Sequence, residues 1–311
     1  MKVHIHGNCQ SYVLSAMLRE ICPEWEVTFF EVHADPIITQ NADYRTAIMT
    51  SDIILSQPVH EGYRGRTDLS LNWIRDAAKP GAELIVIPAM HFDGHHLGFG
   101  TLPGLGDLCT NAVAAHLIAA GVPAGAAVDM LLSEELFDAE FVQAEINLSL
   151  AEMVRRERDD KIDVPLSPFS GAFSGNVQMF HIVNHPSRPI YAYLLNKIME
   201  RLSIPGRDTT LAGQDYQSIP HIPMCRSVAY HCAARDGSMP AGTLLPALVH
   251  IHGHPPITQK DYFSMMIAQL ASHSTSAIRA AIHGAWQSEA FLKRLAQKNP
   301  GFPKIDVWVD R

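Results

Sequence analysis

The sequence predicts an α/β protein, with a flavodoxin-like parallel-sheet subdomain over residues 1–103 and a predominantly helical region over 104–311. Two observations carry that expectation. Through the first hundred residues, short β-type runs alternate with stretches of 3.6-residue periodicity, the pattern of right-handed βαβ crossovers in a parallel sheet. Beyond Pro103 the β-type runs thin out and long helical spacings take over.

Residues 3–6 form a short β-type run broken by Gly7-Asn8. Residues 11–21 carry Val13, Leu14, Met17, Leu18 and Ile21 at helical spacing, and Pro23 stops the helix. A second strand is expected over 26–32, a short helix over 42–49, and a third strand over 52–55 that ends at Ser56-Gln57-Pro58. Residues 69–78 read as a helix closed by Lys79-Pro80-Gly81, and 83–87 as an apolar fourth strand ending at Pro88. In the second region, helices are expected over 105–120, 133–158, 187–202, 258–271 and 274–297, the last broken at Gly284. Thr258 and Asp261 resemble a capping box with Asp in the usual Glu or Gln place. The Pro/Gly/Ser-rich residues 161–175 read as a loop, 206–242 as irregular, and the charges of 155–160 as a solvated helix end.

A hydrophobic fraction of 47% supports a large core, and the 18% of charged residues give a net charge of −8 with no long run of one sign. That balance argues against a nucleic-acid partner, which requires a basic face. The start of the chain has no signal-peptide pattern, and no window approaches a membrane span. Five cysteines, an odd number without C-x-x-C spacing, fit reduced thiols in a cytoplasm.

Ligands of open parallel sheets bind outside the carboxyl ends of the strands. Three segments belong there: Gly7-Asn8-Cys9-Gln10, Ser56-Gln57-Pro58-Val59-His60, and Pro88 through His96. The first places a thiol where strand becomes helix, where free N–H groups and the helix dipole favour anions. Asn8 and Gln10 add amide donors beside Cys9, and His91, His95 and His96 supply imidazoles. A thiol, a base and oxyanion donors on one edge are the minimum for acyl transfer. Cys22, Cys109, Cys225 and Cys232 lack such a setting and are read as ordinary buried or surface residues.

Gly7-Asn8-Cys9-Gln10, Ser56-Gln57-Pro58-Val59 with Tyr63-Arg64-Gly65, Val86-Ile87-Pro88, and Phe180 through Asn184-His185-Pro186-Ser187 form an ordered set. With it, the chain resembles the WcbI family of polysaccharide-biosynthesis enzymes over at least residues 3–200. The resemblance implies a coenzyme A-dependent O-acetyltransferase acting on a deoxy-heptose of a bacterial capsular polysaccharide. It also implies a first subdomain similar to the SGNH hydrolase fold, with Cys9 where those enzymes carry serine. The helical region is then expected to pack on that subdomain and complete the cofactor and substrate pocket, or to pair with a second copy of the chain.

On that reading acetyl-coenzyme A presents its thioester to Cys9, and Asn8, Gln10 and backbone N–H groups stabilise the oxyanion. A histidine deprotonates either Cys9 or the acceptor hydroxyl, with His91 placed ahead of His185 and His95. Gly7 and Gln57 lie on the cofactor edge. Arg64 and Arg66 meet the phosphates, Tyr63 is placed to stack on adenine, and Arg188 offers a cation at a helix start.

Two rival chemistries follow from other residues. His250-x-His252-x-His254, His4-x-His6 and Asp93 among His91, His95 and His96 suggest a metal-dependent hydrolase, although no H-E-x-x-H accompanies them and no metal ligand is assigned. A cysteine esterase without coenzyme A would use the same edge, but Asp306 and Asp310 lack the following histidine such enzymes carry. A non-catalytic sugar- or nucleotide-binding module would leave Cys9 as packing.

Overall fold

The computed structural model of the protein describes residues 1–33, 44–105, 110–174, 179–204, 222–233, 249 and 255–303. His250, His252, His254, Cys109, Asp306 and Asp310 lie outside the described residues.

The chain opens with strand β1 (Lys2–Gly7), helix α1 (Gln10–Ile21), strand β2 (Glu26–Glu31), helix α2 (Tyr44–Thr50), strand β3 (Ile53–Ser56), helix α3 (Leu71–Ala77) and strand β4 (Glu83–Val86). The four strands form one sheet in the order β2-β1-β3-β4, and all three pairings are parallel. β3 is buried at every position and β1 at all but its first, as expected of strands covered on both faces. Chain order reverses between β1 and β3, so their carboxyl ends mark the switch point where doubly wound sheets bind ligands. This α/β architecture is the one the sequence predicts.

α1 buries Val13, Leu14, Met17, Leu18 and Ile21, the stripe read from its spacing. On the same subdomain Phe30, Val32, Tyr44, Ile48, Ile54, Val59, Leu69 and Ile74 make a second apolar cluster. Tyr44 stacks on Phe30 at 4.4 Å between centroids.

The described residues divide into two compact units. One takes those of Met1–His91, Glu152–Ala172 and His185–Ser218, the other those of Phe92–Ala151, Phe173–Asn184 and Ile219–Arg311. The stretches therefore interleave, in contrast to a single boundary at residue 103. Local periodicity marks where elements start and stop but carries no information on which distant helix shares a core with which strand.

In the second unit, the helix Ala112–Ala119 packs against Ala124–Leu131, Gln259–Ala271 and Thr275–Gly284. Its alanines let neighbouring backbones approach, and Asn111 caps it by accepting the N–H groups of Val113 and Ala114 at 2.9 and 3.1 Å. The helix expected over 133–158 runs Ala139–Asp159, begun by Asp138, whose Oδ1 accepts the Phe141 N–H. The expected break at Gly284 separates Thr275–Gly284 from Trp286–Lys298. The loop expected over 161–175 holds a short helix, Ser167–Phe173, and Ala124–Leu131 is a helix that no local pattern announces. No helix among the described residues is long and apolar enough to cross a membrane.

Candidate functional site

Cys9 stands at the N-terminus of α1, half-buried, with helical backbone angles. The turn is held by its neighbour. The Asn8 Oδ1 accepts the Gln10 N–H at 2.9 Å, and the Asn8 carbonyl accepts the Ser11 N–H at 2.9 Å. The Asn8 side-chain oxygen thus holds the turn that leads into α1.

The Cys9 Sγ lies 3.6 Å from Nε2 of His185. The two residues are 176 positions apart in sequence and belong to the same compact unit. His185 directly precedes the Ser187 cap of the helix Arg188–Arg201 by two residues, so a helix start fixes its place in the chain. Burial pushes the Cys9 thiol above its ordinary pKa of 9.0, and the carboxylate of Glu31 pushes it further. The N–H groups of Cys9 and Gln10 pull in the opposite direction, and burial wins. The thiol is therefore protonated at neutral pH and needs a base to become a nucleophile.

Beneath the turn lies a pair of carboxamides that sequence reading did not connect. Gln10 and Gln57 are 1% and 3% exposed. The Gln57 Oε1 accepts the Asn8 N–H at 2.7 Å, while its Nε2 donates to Gln10 Oε1 at 2.7 Å and to the Pro88 carbonyl at 3.2 Å. Gln10 completes the bridge: Nε2 donates to the Met90 carbonyl at 2.7 Å, and Oε1 accepts the Met90 N–H at 3.0 Å. The segments following β1, β3 and β4 are thereby joined by two side chains. Gly7 makes this possible, because a Cβ there would overlap the Gln57 carboxamide and sit 2.8 Å from Ser11 Oγ.

His91 is placed differently from His185. Its Nδ1 lies 3.5 Å from Nη2 of Arg156, whose Nε lies 3.2 Å from the Glu152 carboxylate. His91, Arg156, Glu157 and Asp160 share a pocket of about 360 Å³, its open mouth included, with Met90, Met153 and Leu166. Arg156 was hidden within a charge run that looked merely solvated; nothing local in sequence pairs it with a residue 65 positions away.

The cationic candidates after β3 divide. Arg66 is committed to Asp68, with contacts of 3.0 and 2.8 Å, and its Nη2 also donates to the Tyr44 hydroxyl at 2.8 Å. Arg64 is exposed in the left-handed region at φ 53°, on a one-turn 3₁₀ segment Tyr63–Gly65, and donates to the His33 carbonyl. Tyr63 beside it is 39% exposed. Arg188 opens the helix Arg188–Arg201, three positions beyond His185.

The remaining histidines of the metal reading are held inside. The His4 Nδ1 meets Thr28 Oγ1 at 2.9 Å, and the His6 Nε2 donates to the Leu69 carbonyl at 3.1 Å while its ring stacks on Phe30. In the second unit the His95 and His96 Nε2 atoms reach the Ser174 and Phe180 carbonyls at 2.7 and 2.9 Å. Burial lowers all four, His4 and His96 to about 3 and His6 and His95 to about 4. Among the described residues no three His, Cys, Asp or Glu side chains group as metal ligands would. Cys225 is fully buried, its thiol pushed up to about 12.

Comparison with known proteins places these features. No curated protein matches the chain. A solved structure of WcbI, described as a novel polysaccharide biosynthesis enzyme in its native form without a disulfide between coenzyme A and one of its cysteines, has the same fold. It superposes with a TM-score of 0.72 over 94% of this chain and 98% of that one, at 20% identity. The profile of the family described as polysaccharide biosynthesis enzyme WcbI matches residues 2–207, which contain the whole Cys9 turn, the Gln57 bridge and His185. The chain belongs to the WcbI family of polysaccharide biosynthesis enzymes.

Proposed function

We propose that this protein is a coenzyme A-dependent O-acetyltransferase acting on a sugar hydroxyl, in line with the deoxy-heptose of a capsular polysaccharide that the family resemblance suggests. The single observation that carries the reading is the 3.6 Å approach of Cys9 Sγ to His185 Nε2 at the switch point of the sheet. That the WcbI structure is described by the absence of a disulfide between coenzyme A and a cysteine, a bond that names both partners, supports the same donor for this thiol.

His185 takes the Cys9 proton as the sulfur attacks the thioester carbonyl. The carbon–sulfur bond to coenzyme A breaks, and His185 returns the proton to the departing thiolate. The acceptor hydroxyl then attacks acetyl-Cys9, His185 takes its proton, and the Cys9 sulfur leaves and is reprotonated. Atoms and charge balance with no further reactant. The N–H of Cys9 faces the sulfur and is the backbone donor for the developing oxyanion, while the Gln10 N–H is engaged by the Asn8 Oδ1. The Asn8 Oδ1 and the Gln10 carboxamide contribute through the turn and its bridge to Met90, where they are engaged. His91 with Arg156 stands at the neighbouring pocket as the place for the acceptor. Tyr63, Arg64 and Arg188 offer stacking and positive charge for the nucleotide end of the donor, with Arg66 held back by Asp68.

Coenzyme A at a hundred times its Kd should stabilise the protein by about 2.7 kcal/mol and raise Tm by about 2 °C or more. With acetyl-coenzyme A, mass spectrometry should find one acetyl group on the Cys9 peptide. His185→Asn should slow acetylation by about 10²- to 10⁴-fold. Turnover retained by Cys9→Ala would replace the covalent route with direct transfer. Hydrolysis of an aryl acetate with no response to coenzyme A would favour the esterase.

A further inference from the structure

We propose that Gln57 is the positioning residue of this site: its buried carboxamide anchors Asn8 and so sets the approach of Cys9 to His185, without contacting a ligand. Cys9 as the nucleophile rests on the function proposed above; the placement of Gln57 does not. Four observations support the assignment. Gln57 is 3% exposed, so its side chain faces protein and not the edge where a cofactor would lie. It makes three bonds to two separate segments, to Asn8 and Gln10 after β1 and to Pro88 after β4. Its Oε1 accepts the N–H of the residue immediately before Cys9, at 2.7 Å. Gly7 leaves room for it where any other residue would collide. A packing residue of the same volume would satisfy none of those polar groups, and a buried donor or acceptor left unmade is costly.

The chemistry of the bridge gives a selective test. In Gln57→Glu the oxygen facing Asn8 N–H still accepts. The other oxygen faces Gln10 Oε1 and the Pro88 carbonyl, both acceptors, and fits only when it carries a proton. The variant should therefore resemble wild type in acid and diverge as its carboxyl ionises. The titratable neighbours of Cys9 that must be tracked beside it are Glu31 and His185.

The measurement is the rate of Cys9 alkylation by iodoacetamide from pH 6 to 8.5, read by peptide mass, with the urea midpoint of each variant recorded alongside. For Gln57→Glu the rate relative to wild type should be near one at pH 6 and fall at least about tenfold by pH 8.5, in keeping with the cost of misplacing a reacting group. Gln57→Leu should be slow at every pH while its coenzyme A affinity stays within about threefold of wild type, because positioning acts on reactivity and not on binding. If Gln57→Leu fails to fold, the Gln57→Glu series decides alone. A Gln57→Glu profile that tracks wild type at every pH overturns the proposal. So does a Gln57→Leu protein that alkylates normally but binds coenzyme A tenfold more weakly, which would make Gln57 a cofactor contact. If wild type itself binds no coenzyme A, the acyltransferase reading fails, and the alkylation series still reports on Gln57.

Discussion

At the scale of single residues, the site combines a thiol that resists ionisation with a base placed against it. Burial acts on Cys9 first, and Glu31 at the end of β2 adds a like-charge penalty on the thiolate. Glu31→Gln should therefore lower the thiol pKa, and a titration followed by thiolate absorbance should show its midpoint move toward neutrality. Alkylation at pH 8 should speed up accordingly; an unmoved midpoint would mean that burial alone governs Cys9. The sequence showed that Cys9 sits where strand meets helix, because Gly-Asn breaks β1 and the apolar stripe of α1 begins at Val13, four residues on. It ranked His91 ahead of His185, the histidine that lies against Cys9, since a pairing across 176 residues leaves no local trace. Nor could it reveal that the Asn8 side-chain oxygen and the Gln10 carboxamide are engaged within the protein. An amide beside a nucleophile looks the same in sequence whether it points at the ligand or into the protein.

At the scale of elements, legibility followed how local the deciding interaction is. The four strands of the sheet and helices α1 to α3 emerged from period and punctuation because apolar spacing and Gly or Pro stops lie within a few residues of one another. The Thr258 cap did too: its Oγ1 accepts the Asp261 N–H at 3.2 Å, and Asp261 Oδ2 accepts the Thr258 N–H at 3.3 Å. Thr258→Ala should cost about 1 kcal/mol of the stability of the unit carrying Gln259–Ala271, measured as a drop in urea midpoint without change in slope. A cost near zero would show that burial of Phe263, Met266, Ile267 and Leu270 holds the helix without its cap. Ala124–Leu131 and Ser167–Phe173 were illegible for the opposite reason. Gly125 in the first and Pro168 and Gly171 in the second are poor helix formers, and the helices exist by tertiary packing, burying Ala127, Val128 and Leu131 in one and Ser170 in the other.

At the scale of the whole molecule, the buried histidines set a pH limit on folding. Burial also lowers His116 of the second unit, but the largest effects among the described residues fall on His4 and His6 in one unit and His95 and His96 in the other, all at most 1% exposed. Their folded values near 3 to 4 lie below the ordinary 6.5, so the folded state prefers them neutral. A depressed folded pKa contributes stability that is present above 6.5 and lost as pH falls through the folded value. At pH 5 each such group costs the fold about 2 kcal/mol, against total domain stabilities of roughly 5–15 kcal/mol. Stability should therefore be flat from pH 7 to 8 and fall steeply between about 6.5 and 4.5. Carboxylates held below their usual range by arginine, Asp68 and Glu152 among them, act in a lower window, below about pH 4.5. At the alkaline end Cys225, with a folded value near 12 against 9.0, removes stability as pH rises from 9. Unfolding at pH 5, followed by calorimetry in two buffers of different ionisation enthalpy, should take up about four protons. Uptake of fewer than two would mean that these imidazoles are charged or solvated in the folded protein, and that their hydrogen-bond partners, not their burial, govern them.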